Sequence, residues 1–336
     1  MKKRIISAVL ILAMVLAMTT TVFADNSWES EIDTLGTAVV DGVYYHDLQD
    51  AAEAAVNNGG VLTLLEEPKE KITVNGDLNL NLNGYTVSVD ANNVTLTDTA
   101  TDNGTVGGKL YGEFNVTDRV VEANGISYVI LDGSDSNGDY ITANAVRVKV
   151  SKINVRPSRV GMYYVTQVVF NENVANAGAT YGVALSLVDK PDSNFENDSD
   201  TRWTSFTAPT GADFSENGTS CLVVDIMKND GSSDESNSGR GTMEIYANAY
   251  VNVNVNGETT AIMMENTDVV YSLQTVMQAL DSKLETELLA YAAGTGSLSD
   301  TGSKALGFFE AWEGAMTQNG WNLTNMAKAL LKKNAA

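Results

Sequence analysis

The stretch Asp77–Val89, DLNLNLNGYTVSV, decides how this chain is layered. Leu78, Leu80 and Leu82 alternate with Asn79, Asn81 and Asn83, and Val87 and Val89 alternate again after Gly84-Tyr85. Successive side chains of an extended chain point to opposite faces, so the leucines share one face and the asparagines the other. The neighbouring segments repeat the habit. Val61–Leu65, Ile72–Val74, Tyr85–Val89, Val94–Thr97 and Val129–Leu131 read as strands, and Pro68 marks a turn. The chain is built by stacking such strands.

Immediately upstream, Ala38–Tyr44 (AVVDGVY) reads as two short strands around an Asp-Gly turn. A helix follows. Asp47 is its predicted N-cap, with Asp50 at the capping-box position in place of Glu. Leu48, Ala51, Ala52, Ala55 and Val56 recur at the spacing of one helix face. Asn57-Asn58-Gly59-Gly60 ends it with residues that tolerate left-handed backbone.

Together, the helix HDLQDAAEAAVNNGG, the strand VLTLLEE and the stretch LNLNLNGYTVSV resemble the capped start of a right-handed parallel β-helix module. Such pectin-lyase-like modules occur in large surface proteins of Firmicutes. The resemblance covers residues 38–133 and implies that the helix plugs the end of a coil. An open coil end exposes unpaired backbone groups, which a helix can cover. At roughly 20 residues per coil, the segment predicts about four or five coils. An ordinary small antiparallel β-domain is the alternative reading of the same strands.

Residues 1–24 read as a signal peptide. Lys2, Lys3 and Arg4 form a positive n-region, Ile5–Met18 an apolar run, and Val22-Phe23-Ala24 a small-residue cleavage site. Residues 25–37 form a polar lead-in. The chain carries 21 basic and 43 acidic residues, a net charge of −22. That field repels phosphate backbones and anionic lipid, which argues against nucleic acid; no stretch after residue 24 approaches the length of a transmembrane helix, so no membrane insertion is expected after cleavage. Cys221 is the single cysteine and excludes an intramolecular disulfide; its place in an apolar run reads as a small buried hydrophobe.

Asp132–Tyr140 (DGSDSNGDY) reads as a loop between domains. Asp132, Asp135 and Asp139 are the candidate calcium ligands. The EF-hand pattern fails there, because its first position falls on Gly133 and its closing position on Asn144. Turn chemistry explains the same acids. Residues 141–267 predict an antiparallel β-sandwich of immunoglobulin type, with strands at Ala145–Val150, Tyr163–Phe170, Tyr181–Val188, Cys221–Met227, Thr242–Ala247 and Tyr250–Val255. Val251, Val253 and Val255 alternate with Asn252, Asn254 and Asn256 as a two-faced strand. The segment from Tyr181 to Val251 is also similar to a module of clostridial surface proteins to which no activity attaches. Trp203, Tyr163 and Tyr164 are the candidate sugar-stacking aromatics, with Trp203 and Phe206 placed in a loop. Residues 268–336 form a helical module: Asp268–Gly294 with Ser272 as cap, Thr301–Met316, and a third helix capped by Thr324. Its amphipathic faces suit a bundle, packing on the sandwich, or self-assembly.

Catalytic options are few. His46 is the only histidine and lies at the start of the plug helix, a poor place for a catalytic triad. One histidine and one cysteine cannot make a zinc site. Nucleotide-binding glycine loops are absent from the sequence. No pair among the 43 acids is singled out by spacing as a glycosidase pair. The expectation is therefore a mainly β protein that is secreted and associated with the cell surface, structural or adhesive and non-catalytic, offering loops to an extracellular protein or glycan. No catalytic residue is assigned, and calcium is the one cofactor considered. The alternatives are a carbohydrate-binding module and a β-helix polysaccharide lyase or glycosidase.

Overall fold

A computed structural model describes residues 36–155, 161–207, 218–225, 242–263, 269–318, 320–321 and 323–336. The expected signal peptide and most of the lead-in lie outside the described residues. Strands β1 (Ala38–Val40) and β2 (Val43–Tyr45) form a hairpin. Its turn residues, Asp41 and Gly42, have φ of 49° and 85°, the left-handed pair that Asp-Gly accommodates. Helix α1 (Leu48–Asn58) follows; Asp47 accepts from the Gln49 and Asp50 N–H groups at 2.8 and 3.1 Å. Gly59, at φ 69°, ends it. Ala51, Ala52 and Ala55 are its buried face, small enough to let the helix settle closely on the strands beneath.

Strands β3 (Val61–Leu64), β4 (Ile72–Thr73), β5 (Asp77–Asn81), β6 (Val87–Thr97) and β7 (Leu110–Val116) wind into a β-solenoid of about three turns. On one face Leu62, Leu80 and Leu96 stand side by side in parallel register. On another, Ile72, Val89 and Gly112 do the same. β6 serves both faces and shifts register between Asp90 and Asn93, at a rung corner. Leu78, Leu80 and Leu82 are fully buried, so the alternating stretch turns its leucines inward. Asparagines tie the rungs together. Asn92 Nδ2 donates to Asn75 Oδ1 at 3.2 Å, and Asn83 Nδ2 donates to the Leu64 carbonyl at 3.0 Å.

The coil is shorter than expected because Asp98–Lys109 is spent on a turn. Asp98 is fully buried and accepts from the N–H groups of Gly84, Ala100 and Gly108 at 2.8, 3.1 and 2.7 Å. Burial pushes its carboxyl above the usual range. After β7 the chain changes to antiparallel pairing. Strands β8 (Val120–Ala123) and β9 (Ile126–Asp135) form one hairpin; β9 and β10 (Gly138–Val155) form the next. The stretch expected as an open loop is this second hairpin. Its turn is only Ser136-Asn137, set by Asp135 Oδ1 accepting from the Asn137 N–H at 2.8 Å.

β10 also pairs with β7 at Tyr140 and Ile141, and farther along with β11 (Gly161–Val169). A short helix α2 (Glu172–Asn176) leads to β12 (Thr180–Ser186). β12 lies between β13 (Thr201–Thr207) and β15 (Ile245–Val255), while β14 (Gly218–Asp225) pairs with β11. β16 (Glu258–Met263) and β17 (Val269–Tyr271) complete the second sheet. Two expectations change here. Trp203 and Phe206 lie in strand β13 rather than a loop, and the two predicted strands between Thr242 and Val255 form one. Unbroken pairing of Tyr246–Asn252 with β12 leaves no room for a break.

The sheets share a core: Val129, Val146, Val168 and Phe170 pack with Tyr181, Val251, Val253 and Ile262. Beyond it come α3 (Leu273–Lys283), α4 (Glu285–Ala292), α5 (Asp300–Gln318) and α6 (Thr324–Ala335). Ser272 caps α3 in a reciprocal box with Thr275. The expected single helix breaks at Leu284 into α3 and α4. Met277, Leu288, Phe308, Trp312 and Met326 form one core with Met162, Tyr164 and Leu185 of the sheets. Among the described residues no helix is long and apolar enough to cross a membrane.

Candidate functional site

Two ion pairs and a pair of tyrosine rings meet at the β9–β10 hairpin. Tyr140 stands opposite Gly133 across the ladder. A Cβ at residue 133 would come within 2.5 Å of the Tyr140 ring, so glycine is what allows the ring to lie across β9. Lys109 Nζ sits 4.2 Å from the centre of that ring and bonds Asp135 Oδ2 at 2.6 Å. Tyr111 OH donates to the same oxygen at 2.8 Å, and its ring lies 5.5 Å from that of Tyr140. The Lys109 ammonium, helped by the Asn137 N–H and the Tyr111 hydroxyl, holds the Asp135 carboxyl down at about 2. Asp135 in turn raises the Lys109 ammonium.

A second ion pair flanks the first. Arg119 Nη1 meets Asp132 Oδ1 at 2.7 Å. The Asn256 amide, oriented by its partners, donates to Asp132 Oδ2 at 2.8 Å and accepts from Arg119 Nε at 3.2 Å. Asn256 is held at φ 55° in the β15–β16 turn, which aims its short side chain at the hairpin. Beside these groups opens a cleft walled by Tyr140 and Thr142 of β10, Asn173 and Asn176 of α2, and Asn254 of β15.

The candidate metal ligands are thus brought to one hairpin, Asp132 and Asp135 on β9 and Asp139 on β10. Asp132 and Asp135 are each engaged by a cation. Among the described residues no three His, Cys, Asp or Glu side chains are grouped to hold a metal. The three aromatic candidates are scattered. Trp203 is 45% exposed and rests edge-on against the buried Phe195, with centroids 5.8 Å apart and planes at 81°. Phe195 in turn packs on Tyr250 at 4.5 Å. Tyr163 pairs with Asn154 and Val223 along β11. Tyr164 is fully buried between sheet and helices, where burial raises its hydroxyl pKa; it is a core residue and meets no ligand at the surface.

Sequence reasoning passed over Tyr140, Asn173, Asn176 and Asn254. One signal was present for Asn254: the valine–asparagine alternation of β15 leaves it exposed while Val253 and Val255 are buried. No protein-family model, no curated protein and no solved structure matches the chain. The likeness to β-helix modules therefore rests on the solenoid geometry itself.

Proposed function

We propose that this chain is a non-catalytic structural or adhesive protein of the cell exterior, which presents fixed surface features to an extracellular partner. The observation that carries the reading is β10, which hydrogen-bonds to β7 of the solenoid as well as to β9 and β11. Solenoid and following sheet become one continuous framework, and such a framework holds surface groups at set distances. The finer readings belong to the same proposal. A helix-capped module of the kind in Firmicutes surface proteins is supported by α1 seated on the first rungs. An immunoglobulin-type sandwich over 141–267 is supported by two sheets sharing a core. Secretion is supported by the signal-like residues 1–24 and by the acidic balance.

The Asp135 carboxylate favours binding over reaction. A general acid or base needs a proton to exchange near the working pH. Asp135, held at about 2 by Lys109, exchanges none there. A second reading, carbohydrate binding through Trp203, is favoured by the half-exposed indole braced on Phe195. The test is retention of the purified chain on panels of plant and host glycans and of matrix proteins, with Trp203→Ala as control. Retention on either panel is expected; no retention on any surface would sink the adhesive reading. Release of unsaturated sugars absorbing in the ultraviolet, abolished by chelating calcium, would establish an enzyme instead.

A further inference from the structure

We infer that the cleft walled by Tyr140, Thr142, Asn173, Asn176 and Asn254 is a binding site for an uncharged, polyhydroxylated ligand, one or two residues of a neutral glycan. The inference rests on the reading of the chain as a presenting protein and gives that protein its partner chemistry. The cleft has a volume of about 380 Å3, inside the roughly 300–1,000 Å3 of small-molecule sites. Its walls come from β10, α2 and the end of β15, elements that only the finished fold brings together.

Charge decides the ligand class. The one ionised side chain on the walls is Asp132, and Arg119 and Asn256 already satisfy it. An anion would meet that carboxylate, and a cation would find it already neutralised by Arg119 from outside the cleft, whereas a neutral ligand meets a balanced wall. Amide chemistry decides the rest. A carboxamide offers two donors and two lone pairs. Asn173 gives one of its two N–H donors to Asn144 Oδ1 at 3.1 Å, which leaves its carbonyl as an acceptor. Asn254 uses one lone pair of its carbonyl on the Gly257 N–H at 2.8 Å, which leaves its nitrogen as a donor. Donors and acceptors on neighbouring positions are what vicinal hydroxyls require. Tyr140 closes one side of the cleft with its ring edge, because Gly133 and Lys109 take the two ring faces.

The walls are also preorganised. Asn144 is fully buried, donates to Thr142 Oγ1 at 2.9 Å and receives Asn171 Nδ2 at 2.8 Å, so Asn173 leans on a fixed partner. Tyr140 is pinned between Gly133 and Lys109. Groups fixed beforehand lose little entropy on binding.

The experiment is calorimetric titration of the full chain with neutral cello-, xylo-, manno- and chito-oligosaccharides, and with oligogalacturonate as the charged counterpart. Asn176→Ala and Asn254→Ala remove exposed groups, and their melting temperatures are read alongside to confirm folding. The expected result is binding of a neutral oligosaccharide, weakened about tenfold or more by either asparagine variant. Binding that survives both asparagine variants, or that is lost only in Trp203→Ala, overturns the cleft assignment. Preference for oligogalacturonate overturns the neutral ligand class. Absence of any oligosaccharide binding overturns the inference, while continued retention on matrix proteins leaves the presenting reading standing.

Discussion

Gln49 of α1 completes the backbone pairing of Thr73 in β4. Its Nε2 donates to the Thr73 carbonyl at 2.7 Å, and its Oε1 accepts from the Thr73 N–H at 3.0 Å. β4 pairs with β6 on one side. On the other, the carboxamide does what the peptide group of a further rung would do, and an open edge is closed by one side chain. Gln49→Ala is expected to destabilise the chain by about 1 kcal/mol in urea unfolding. Gln49→Glu sets a carboxylate against the Thr73 carbonyl, so it should cost more at neutral pH and recover part of that below about pH 4, where the side chain protonates. A Gln49→Ala chain as stable as the wild type would refute the edge-closing role.

Gly112 tests the stacking of rungs. It lies beside Val89 in parallel register with φ of 119°, and a Cβ there would fall 1.9 Å from the Val89 carbonyl oxygen. The clash is with backbone, so no rotamer relieves it. Gly112→Ala combines left-handed strain with displacement of the neighbouring rung, and at least about 2 kcal/mol is expected. Gly138 has a similar φ of 121° with nothing near its Cβ position. Gly138→Ala isolates the backbone strain and should cost clearly less in the same unfolding measurement. Equal losses would show that rung contact contributes nothing.

The solenoid is legible in the sequence because its signal is local. Leu78, Leu80 and Leu82 alternate with asparagines, and a one-residue slip would turn every leucine outward, so the pattern admits one register. Asp47 and Gly59 bracket α1 for equally local reasons. The β9–β10 hairpin is hidden because Asp, Gly, Ser and Asn favour turns, and nothing near Gly133 in the chain says that its missing side chain seats the Tyr140 ring. Trp203 reads as a loop residue because Asp198, Asp200 and Arg202 surround it, whereas pairing with β12 makes it strand. The cleft is the least legible part. Asn173 and Asn176 lie about 80 residues from Asn254 in sequence, and each alone is an ordinary surface amide.

Asp281 of α3 supplies the cap of a helix distant in sequence. Its Oδ1 accepts from the Met326 N–H at 2.9 Å, at the start of α6, where the N-cap position is Leu323. Thr324, expected from the sequence as the cap, is the first helical residue instead. Asp281 is buried, so its loss leaves an orphan donor shielded from water. Asp281→Ala should cost about 1–2 kcal/mol. Asp281→Asn keeps the acceptor but loses the negative charge at the positive end of the helix, and should cost about 0.5 kcal/mol. Thermal unfolding of both variants checks the order, and an asparagine variant weaker than the alanine one would contradict the capping role.

Asp135 predicts how the hairpin responds to acid. Its carboxyl is held at about 2 in the folded chain, first by the Lys109 ammonium, then by the Asn137 N–H and the Tyr111 hydroxyl; in the unfolded chain an aspartate titrates near 4. The folded state therefore binds fewer protons between these values. The stabilisation is complete above about pH 4 and is lost as the pH falls toward 2. Asp135→Asn removes this titration, so the variant should be less stable than the wild type at pH 7, with the gap closing between about pH 4 and 2. The Tyr111 and Tyr140 ring signals, followed by nuclear magnetic resonance over the same range, should shift in the wild type with that midpoint and stay flat in the variant. A gap that does not change with pH would mean that the Lys109–Asp135 contact contributes through packing alone.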